Sequence, residues 1–369
     1  MRNAGWTVLK AELVLLNGLI DFSSSDCSLF SPTNYVDMYT KRNYGFWMTA
    51  NWSKYPFIYG LIYSTAVTLA YVFTLKYLHF DISLPWQPIS VLGIAVAFYL
   101  GFKNNSSYDR TWEARKIWGG MVNSSRTFGI AVVGFVHGPD QQVIRQRLIY
   151  RHIAWLTALR HQLRLSRPWE HTEDRIRGMY FPSICEDYYN KLDGELKGFI
   201  TEEEIAMLKT KSNMATQILL EQAKDLAELK KGNYFEDFRH MEFHKLLSAF
   251  YDDQGRSERI KNFPFPRQYA SIALWTTYIF AALIPFGMLE VIVDESLKIY
   301  WLSIPLTALV IWVFFLMEKV GDYSENPFEG TYNDVPITSI SRNIEIDLRE
   351  MINDNMIPRP IAEKNGFLM

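Results

Sequence analysis

Ile94, Phe98 and Phe102 recur every fourth residue, and Gly93, Ala97 and Gly101 recur at the same interval beside them. On a helix each set becomes a stripe, one bulky and one small. A small stripe lets helices approach closely inside a membrane, which leaves the bulky stripe to face elsewhere. Around a pore, a ring of such side chains offers a hydrated ion nothing in place of its water shell, and gates by dewetting. The phenyl rings add a quadrupole, positive at the edge and negative at the face. Large apolar residues at helical spacing suit a core or a lipid face equally well, so the residues alone leave all three uses open. The block that follows starts at Lys103 and ends at Arg110. Asn104, Asn105 and Ser106 in it read either as a solvated continuation of the helix or as a polar wall beneath the bulky stripe. Arg110, Glu113 and Arg115 read as interhelical ion pairs.

These stripes need a helix that continues from lipid depth into water. Leu84 to Phe102 is nineteen residues without a charge and meets the polar block with no glycine or proline break. At about 1.5 Å per residue, that run is just long enough to cross the hydrocarbon core. Phe57–Leu75, Tyr269–Leu289 and Ile299–Met317 pass the same test, which predicts four spanning helices in two pairs. Thr127 to His137 is apolar but only eleven residues long, and reads as a buried or interfacial segment. The linkers within the pairs carry few basic residues, whereas Lys54, Lys103, Arg110, Arg115, Lys116, Arg256, Arg259, Lys261 and Arg267 flank the other ends. By the positive-inside rule, both termini and the long central block are cytoplasmic.

Composition limits the alternatives. Mean hydropathy is −0.07, so a strongly polar remainder must balance the spans, and residues 138–261 supply it. The pattern there is helical: Gln142–Leu165, a start at Thr201 followed by TEEEIAML, an uninterrupted stretch over 203–230, and a helix over 235–253 stopped by Gly255. With 38 basic and 40 acidic residues there is no nucleic-acid footprint. Cys27 and Cys185 are too few for a disulfide framework and lack metal-ligand spacing. His240 and His244 stand four apart, but no third zinc ligand is evident. No phosphate-binding glycine loop, nucleophile elbow or Cys-x-x-Cys is present, so no enzyme is expected.

Several blocks, in order, resemble the bestrophins in their bacterial branch. Ile94–Arg115 (IAVAFYLGFKNNSSYDRTWEAR) resembles the neck segment with its polar continuation. Ser257–Tyr269 (SERIKNFPFPRQY) resembles the entry to the third span, Ile284–Glu290 (IPFGMLE) its kinked middle, and Glu325–Phe328 (ENPF) the signature after the last span. The resemblance implies an all-α membrane protein with four transmembrane helices per subunit and a large helical cytoplasmic region, assembled as a homopentamer. It implies a neck lined by Ile94, Phe98 and Phe102. A second constriction at the cytoplasmic exit is expected near Phe238, with Met241 one turn on. Small monovalent ions would pass, chloride-type anions favoured, through the inner membrane of a bacterium. The alternatives are a monovalent cation channel of the same fold and, less well matched, a scaffold or transporter. A transporter would usually show charges at mid-membrane, and none of the four runs has one.

The sequence also departs from that pattern. Lys103 stands where arginine is usual, Thr111 where an aromatic is common, and Glu329 intervenes between Phe328 and Gly330. Animal members bind calcium through an acidic run after the signature, but Gly330–Asp334 holds one carboxylate. Calcium prefers six to eight oxygens, several of them charged, so neither a calcium site nor any other cofactor is expected. The organisation read from sequence is a peripheral N-terminal extension over 1–37, a first helix pair over 38–120, a cytoplasmic region over 121–267, a second pair over 268–320 and a tail over 321–369. The tail, with Pro336, Pro358 and Pro360, is expected to be partly extended.

Overall fold

The computed structural model describes residues 38–39, 45–171, 187–292, 299–330, 334–362 and 367–368. The N-terminal extension, Cys27 and Cys185 lie outside the described residues. Among the described residues the regular structure is helical apart from a two-residue antiparallel pairing of Met38–Tyr39 with Phe367–Leu368.

A short helix α1 (Phe46–Trp52) leads into α2 (Lys54–Phe73), which ends in a π-helical turn over Thr74–Leu78. Helix α3 (Trp86–Phe135) is a single helix of 50 residues, about 75 Å long. The boundary read at residue 120 therefore falls inside a continuous helix, and Thr127–Phe135 is its last turns, not a separate segment. No proline follows Pro88 in it, and its continuous buried face, from Val96 through Trp118 to Val132, carries the helix past Asn104, Asn105, Gly119 and Gly120.

The next helices along the chain are α4 (Gln141–Arg164), α5 (Asp187–Leu196), α6 (Glu202–Lys209), α7 (Met214–Lys231) and α8 (Asp237–Asn262). Thr201 caps α6 by accepting the Glu204 amide, 3.2 Å away, as its acidic first turn anticipates. The stretch 203–230 is two helices. Asn213 accepts the Thr216 amide at 3.0 Å and starts a fresh helix there. Gly255 does not stop α8, which continues to Asn262, because Phe250, Gln254 and Ser257 stay buried on the same face. Helices α9 (Arg267–Ile292, carrying Pro285) and α10 (Ser303–Ser324) complete the membrane-facing set. The tail is not merely extended. Ile337–Met351 forms α11, whose Ile337, Ile344 and Leu348 are buried against α3 and α4.

Helix α3 serves two apolar cores. Its first half, through Ile89, Val96 and Leu100, packs with Phe280 and Ile284 of α9 and Ile311 of α10. Its second half, through Trp118, Met121, Phe128 and Val132, packs with Trp155 of α4, Leu226 of α7, Phe250 of α8 and Leu348 of α11. Between the cores its buried residues are Lys103 and Ser107. This polar waist separates the bundle of α3 with α9 and α10 from the bundle of α3 with α4, α7, α8 and α11. In the second core His152 is wholly buried among Phe128, Trp155 and Phe250, and burial pushes its pKa down to about 3, so it is a neutral packing residue.

Three helical stretches are long and apolar enough to cross a membrane among the described residues: Lys54–Leu78, the α9 part of Asp237–Ile292, and Ile299–Ser324. The expected second span, at the start of α3, is not among them. Gln87, Pro88 and Ser90 dilute its apolar character.

The small stripe behaves differently along its length. A Cβ on Gly93 would lie 2.7 Å from the Phe280 ring, so only glycine allows this approach of α3 to α9. Ala97 is half-buried, and Gly101 has nothing near it and lies on the exposed face. Packing of the stripe within the protomer is therefore concentrated at Gly93. Gly93→Val should overpack the first core at a cost of about 1–3 kcal/mol. Its unfolding midpoint in detergent should fall measurably, and an unchanged midpoint would contradict this packing.

Candidate ion pathway

The bulky stripe of α3 is bare in the protomer. Ile94 is 71%, Phe98 69% and Phe102 56% exposed, and the rings of Phe98 and Phe102 meet edge to face at 4.6 Å. The bareness does not end with the apolar residues. Asn105, Ser106, Tyr108, Asp109, Trp112 and Lys116 are exposed in turn, and the strip continues to Ile130. At about 100° per residue, Phe98 and Lys116 are five full turns apart and share one face. A helix with so long an unpartnered strip, apolar first and then polar and charged, needs something to cover it or to fill the space it faces.

Of the polar wall residues, Asn105 and Ser106 lie on this strip. Asn104 is half-buried and turned toward Gly321, where a Cβ would sit 2.1 Å from its amide oxygen. Phe238 and Met241 stand in the first turns of α8, 85% and 55% exposed. They adjoin the far end of α3, since the neighbouring Arg239 guanidinium lies 4.4 Å from the Phe135 ring centre. Phe98 and Phe238 thus mark sites near opposite ends of one helix, about 55 Å apart along it.

The waist holds a cluster that the sequence did not disclose. Lys103, 1% exposed, donates to Glu318 at 2.8 Å and has Asp322 at 3.7 Å. His171 donates through Nε2 to Asp322 at 3.0 Å and through Nδ1 to Glu329 at 3.1 Å. Burial opposes a charge on His171, but its hydrogen bonds to the Asp322 and Glu329 carboxylates outweigh this and push its pKa up to about 10. Glu325 is paired with Arg267 at 3.2 Å. Burial, with the Asp322 charge beside it, nevertheless pushes its pKa up to about 7 against Arg267, Lys103 and His171. The cluster ties α3, α9, α10 and the segments after α4 and α10 together. Glu318 and Lys103 are each the first charge after an apolar run, which is the signal that places them at one depth. The uncharged runs ended one residue short of both.

The three residues read as interhelical ion pairs divide. Glu113 pairs with Arg259 of α8 at 2.9 Å. Arg110 donates instead to three backbone carbonyls, those of Glu325 at 2.9 Å, Ile260 at 3.1 Å and Phe263 at 2.8 Å. Arg115 is exposed on α3. The one carboxylate of the Gly330–Asp334 stretch has a structural job. Asp334 accepts the Phe328 amide at 2.7 Å and the Arg164 guanidinium at 2.8 Å. It thereby holds buried Phe328 at a φ of 70°, a backbone conformation that a bulky side chain rarely adopts.

Comparison with known proteins decides what this architecture is. Residues 55–350 match the profile of the bacterial/fungal bestrophin proteins. The chain belongs to that bestrophin family. The voltage-dependent anion channel-forming protein YneE of Escherichia coli K12 is 27% identical over 308 residues, 83% of this chain and 90% of the relative. The voltage-dependent anion channel-forming protein mll4386 of Mesorhizobium japonicum is 26% identical over 317 residues, 85% and 89% of the two chains. The crystal structure of a bacterial bestrophin homolog from Klebsiella pneumoniae superposes with a TM-score of 0.67 at 22% identity, covering 82% of this chain and 99% of that one. That likeness confirms the bestrophin fold.

The His171 clamp has a defined pH signature. Its folded pKa lies above the ordinary 6.5, so its stabilisation is complete below about pH 6.5 and is lost as pH rises through about 10. His171→Gln should lower the unfolding midpoint most near pH 6, and the gap from the unaltered protein should close above pH 10. A gap that widens with rising pH would contradict the clamp.

Proposed function

We propose that this bestrophin is a homopentameric channel for passive permeation of small monovalent ions, anions favoured, with the exposed strip of α3 lining its pore. The observation that carries this reading is the strip itself. Its Ile94, Phe98 and Phe102 are bare at lipid depth, and the same face stays bare through the polar block and beyond. One protomer cannot enclose water with one helix face, whereas a cyclic ring of copies turns each residue of the strip into a ring. The number five comes from the family likeness noted above, and the preference for anions is supported by the names of the relatives. Ile94, Phe98 and Phe102 then form the apolar neck, Asn105 and Ser106 the wall below it, and Phe238 with Met241 the cytoplasmic aperture.

In this reading the first part of α3 is the fourth spanning helix. Its diluted apolar character suits a helix that faces lipid on few sides. The distribution of basic residues puts both termini and the α4–α8 bundle in the cytoplasm, and the membrane is the bacterial inner membrane. Permeation is passive, so the protein is no enzyme. Gating by calcium at Gly330–Asp334 is not part of the reading, because the Asp334 oxygens already serve backbone amides and Arg164.

Phe98→Ala widens an apolar ring that is easily dewetted, so it should raise single-channel current and weaken ion selectivity in planar bilayers. An unchanged current would remove Phe98 from the neck. Native mass spectrometry of the purified protein in mild detergent should give a pentamer, and a stable monomer or dimer would rule out the ring.

A further inference from the structure

The charges nearest the neck are not distributed as the sequence suggests. Between Phe102 and Trp112, α3 carries Lys103, Asp109 and Arg110. Both cations are occupied by the protein itself. Lys103 is buried against Glu318 and Asp322, and Arg110 is bound to three backbone carbonyls. Asp109 is the exception. It is exposed, and its carboxylate takes part in no ion pair or hydrogen bond among the described residues. It lies eleven residues after Phe98, within about 20° of the same helix face. The next charge centred on that face is Lys116, a further seven residues on.

Distance decides which of the two acts on the neck. Asp109 lies about 10 Å below Phe102 along the helix and Lys116 about 21 Å. At physiological ionic strength the Debye length is about 8 Å, so both charges are attenuated, but the potential of Asp109 at the neck is about seven times that of Lys116. We propose that Asp109 sets ion preference at the cytoplasmic mouth of the neck, as a ring of carboxylates that favours cations and restrains the anion flux. This rests on the pore assignment above and assigns a residue to the selectivity that the assignment leaves open. The exposed Tyr108 and Trp112, stacked 6.2 Å apart, lie to one side of Asp109, and Glu113, on the other side, is taken up by Arg259 at 2.9 Å.

The test is reversal potential in planar bilayers under a KCl gradient. Asp109→Asn should move the reversal potential toward that of chloride, with anion permeability raised about two- to threefold for five carboxylates removed at about 10 Å. Asp109→Glu should behave as the unaltered channel. The difference should vanish near 1 M salt, where the Debye length is about 3 Å, a dependence that a merely structural role of Asp109 would not show. The unaltered channel supplies an arm that needs no variant: diluting the salt should shift its own preference toward cations. An Asp109→Asn channel that matches the unaltered one overturns the proposal, provided Phe98→Ala still changes the current. If both variants are silent, the pore assignment fails and the proposal falls with it. A preference of the unaltered channel that is independent of ionic strength also overturns it, and decides the matter should Asp109→Asn not assemble.

Discussion

The constraint on which the fold depends is a charge that one helix cannot avoid burying. Helix α3 is continuous over 50 residues through both bundles, and its two apolar cores meet at Lys103. An unpaired ammonium there would cost several kcal/mol, and removing one partner of such a pair typically costs about 3–5 kcal/mol. Glu318 and Asp322 of α10 are therefore fixed in depth and rotation relative to α3. His171 and Glu329 extend the cluster to the segments beyond, and Arg267 with Glu325 brings in the start of α9. With these contacts made, the buried side of α3 is settled and the opposite side is left bare. The bare strip follows from the waist, because the same ion pair that locks α3 to α10 prevents the helix from rotating Ile94, Phe98 and Phe102 inward.

Charge at this waist is arranged so that cations serve structure. Lys103 and Arg110 point into the protomer, and Arg259 is taken up by Glu113. In the proposed channel the neck comes from the family resemblance, which does not say which nearby charges reach water. Only burial and partners say that, and here they separate Asp109 from its basic neighbours.

Much of this was legible in the sequence. The stripe at Ile94, Phe98 and Phe102 and the helix at Thr201 follow from periodicity and capping, which act locally. What was not legible depends on distant partners. Gly255 reads as a stop, yet buried neighbours on its face carry α8 past it. The tail reads as partly extended from its prolines, which leaves α11 unannounced, and Ile344 and Leu348 find a groove against α3 and α4. The small stripe reads as uniform, yet the Phe280 ring singles out Gly93. Glu318 and Lys103 each sit one residue outside an apolar run, and a search for uncharged runs discards them by construction. The ENPF loop shows the same limit. The left-handed Phe328 is held by an aspartate six residues away, and nothing in the tetrapeptide announces it.

The central claim is that the bare strip of α3 lines the path of the ions. Its most direct measurement uses Phe98→Cys in a protein whose Cys27 and Cys185 are replaced by serine. Current through planar bilayers is recorded while a charged, membrane-impermeant thiol reagent is added. A pore-lining position predicts an irreversible loss of current in the Phe98→Cys channel and none in the cysteine-free background. Current that survives complete labelling of position 98 would contradict the account.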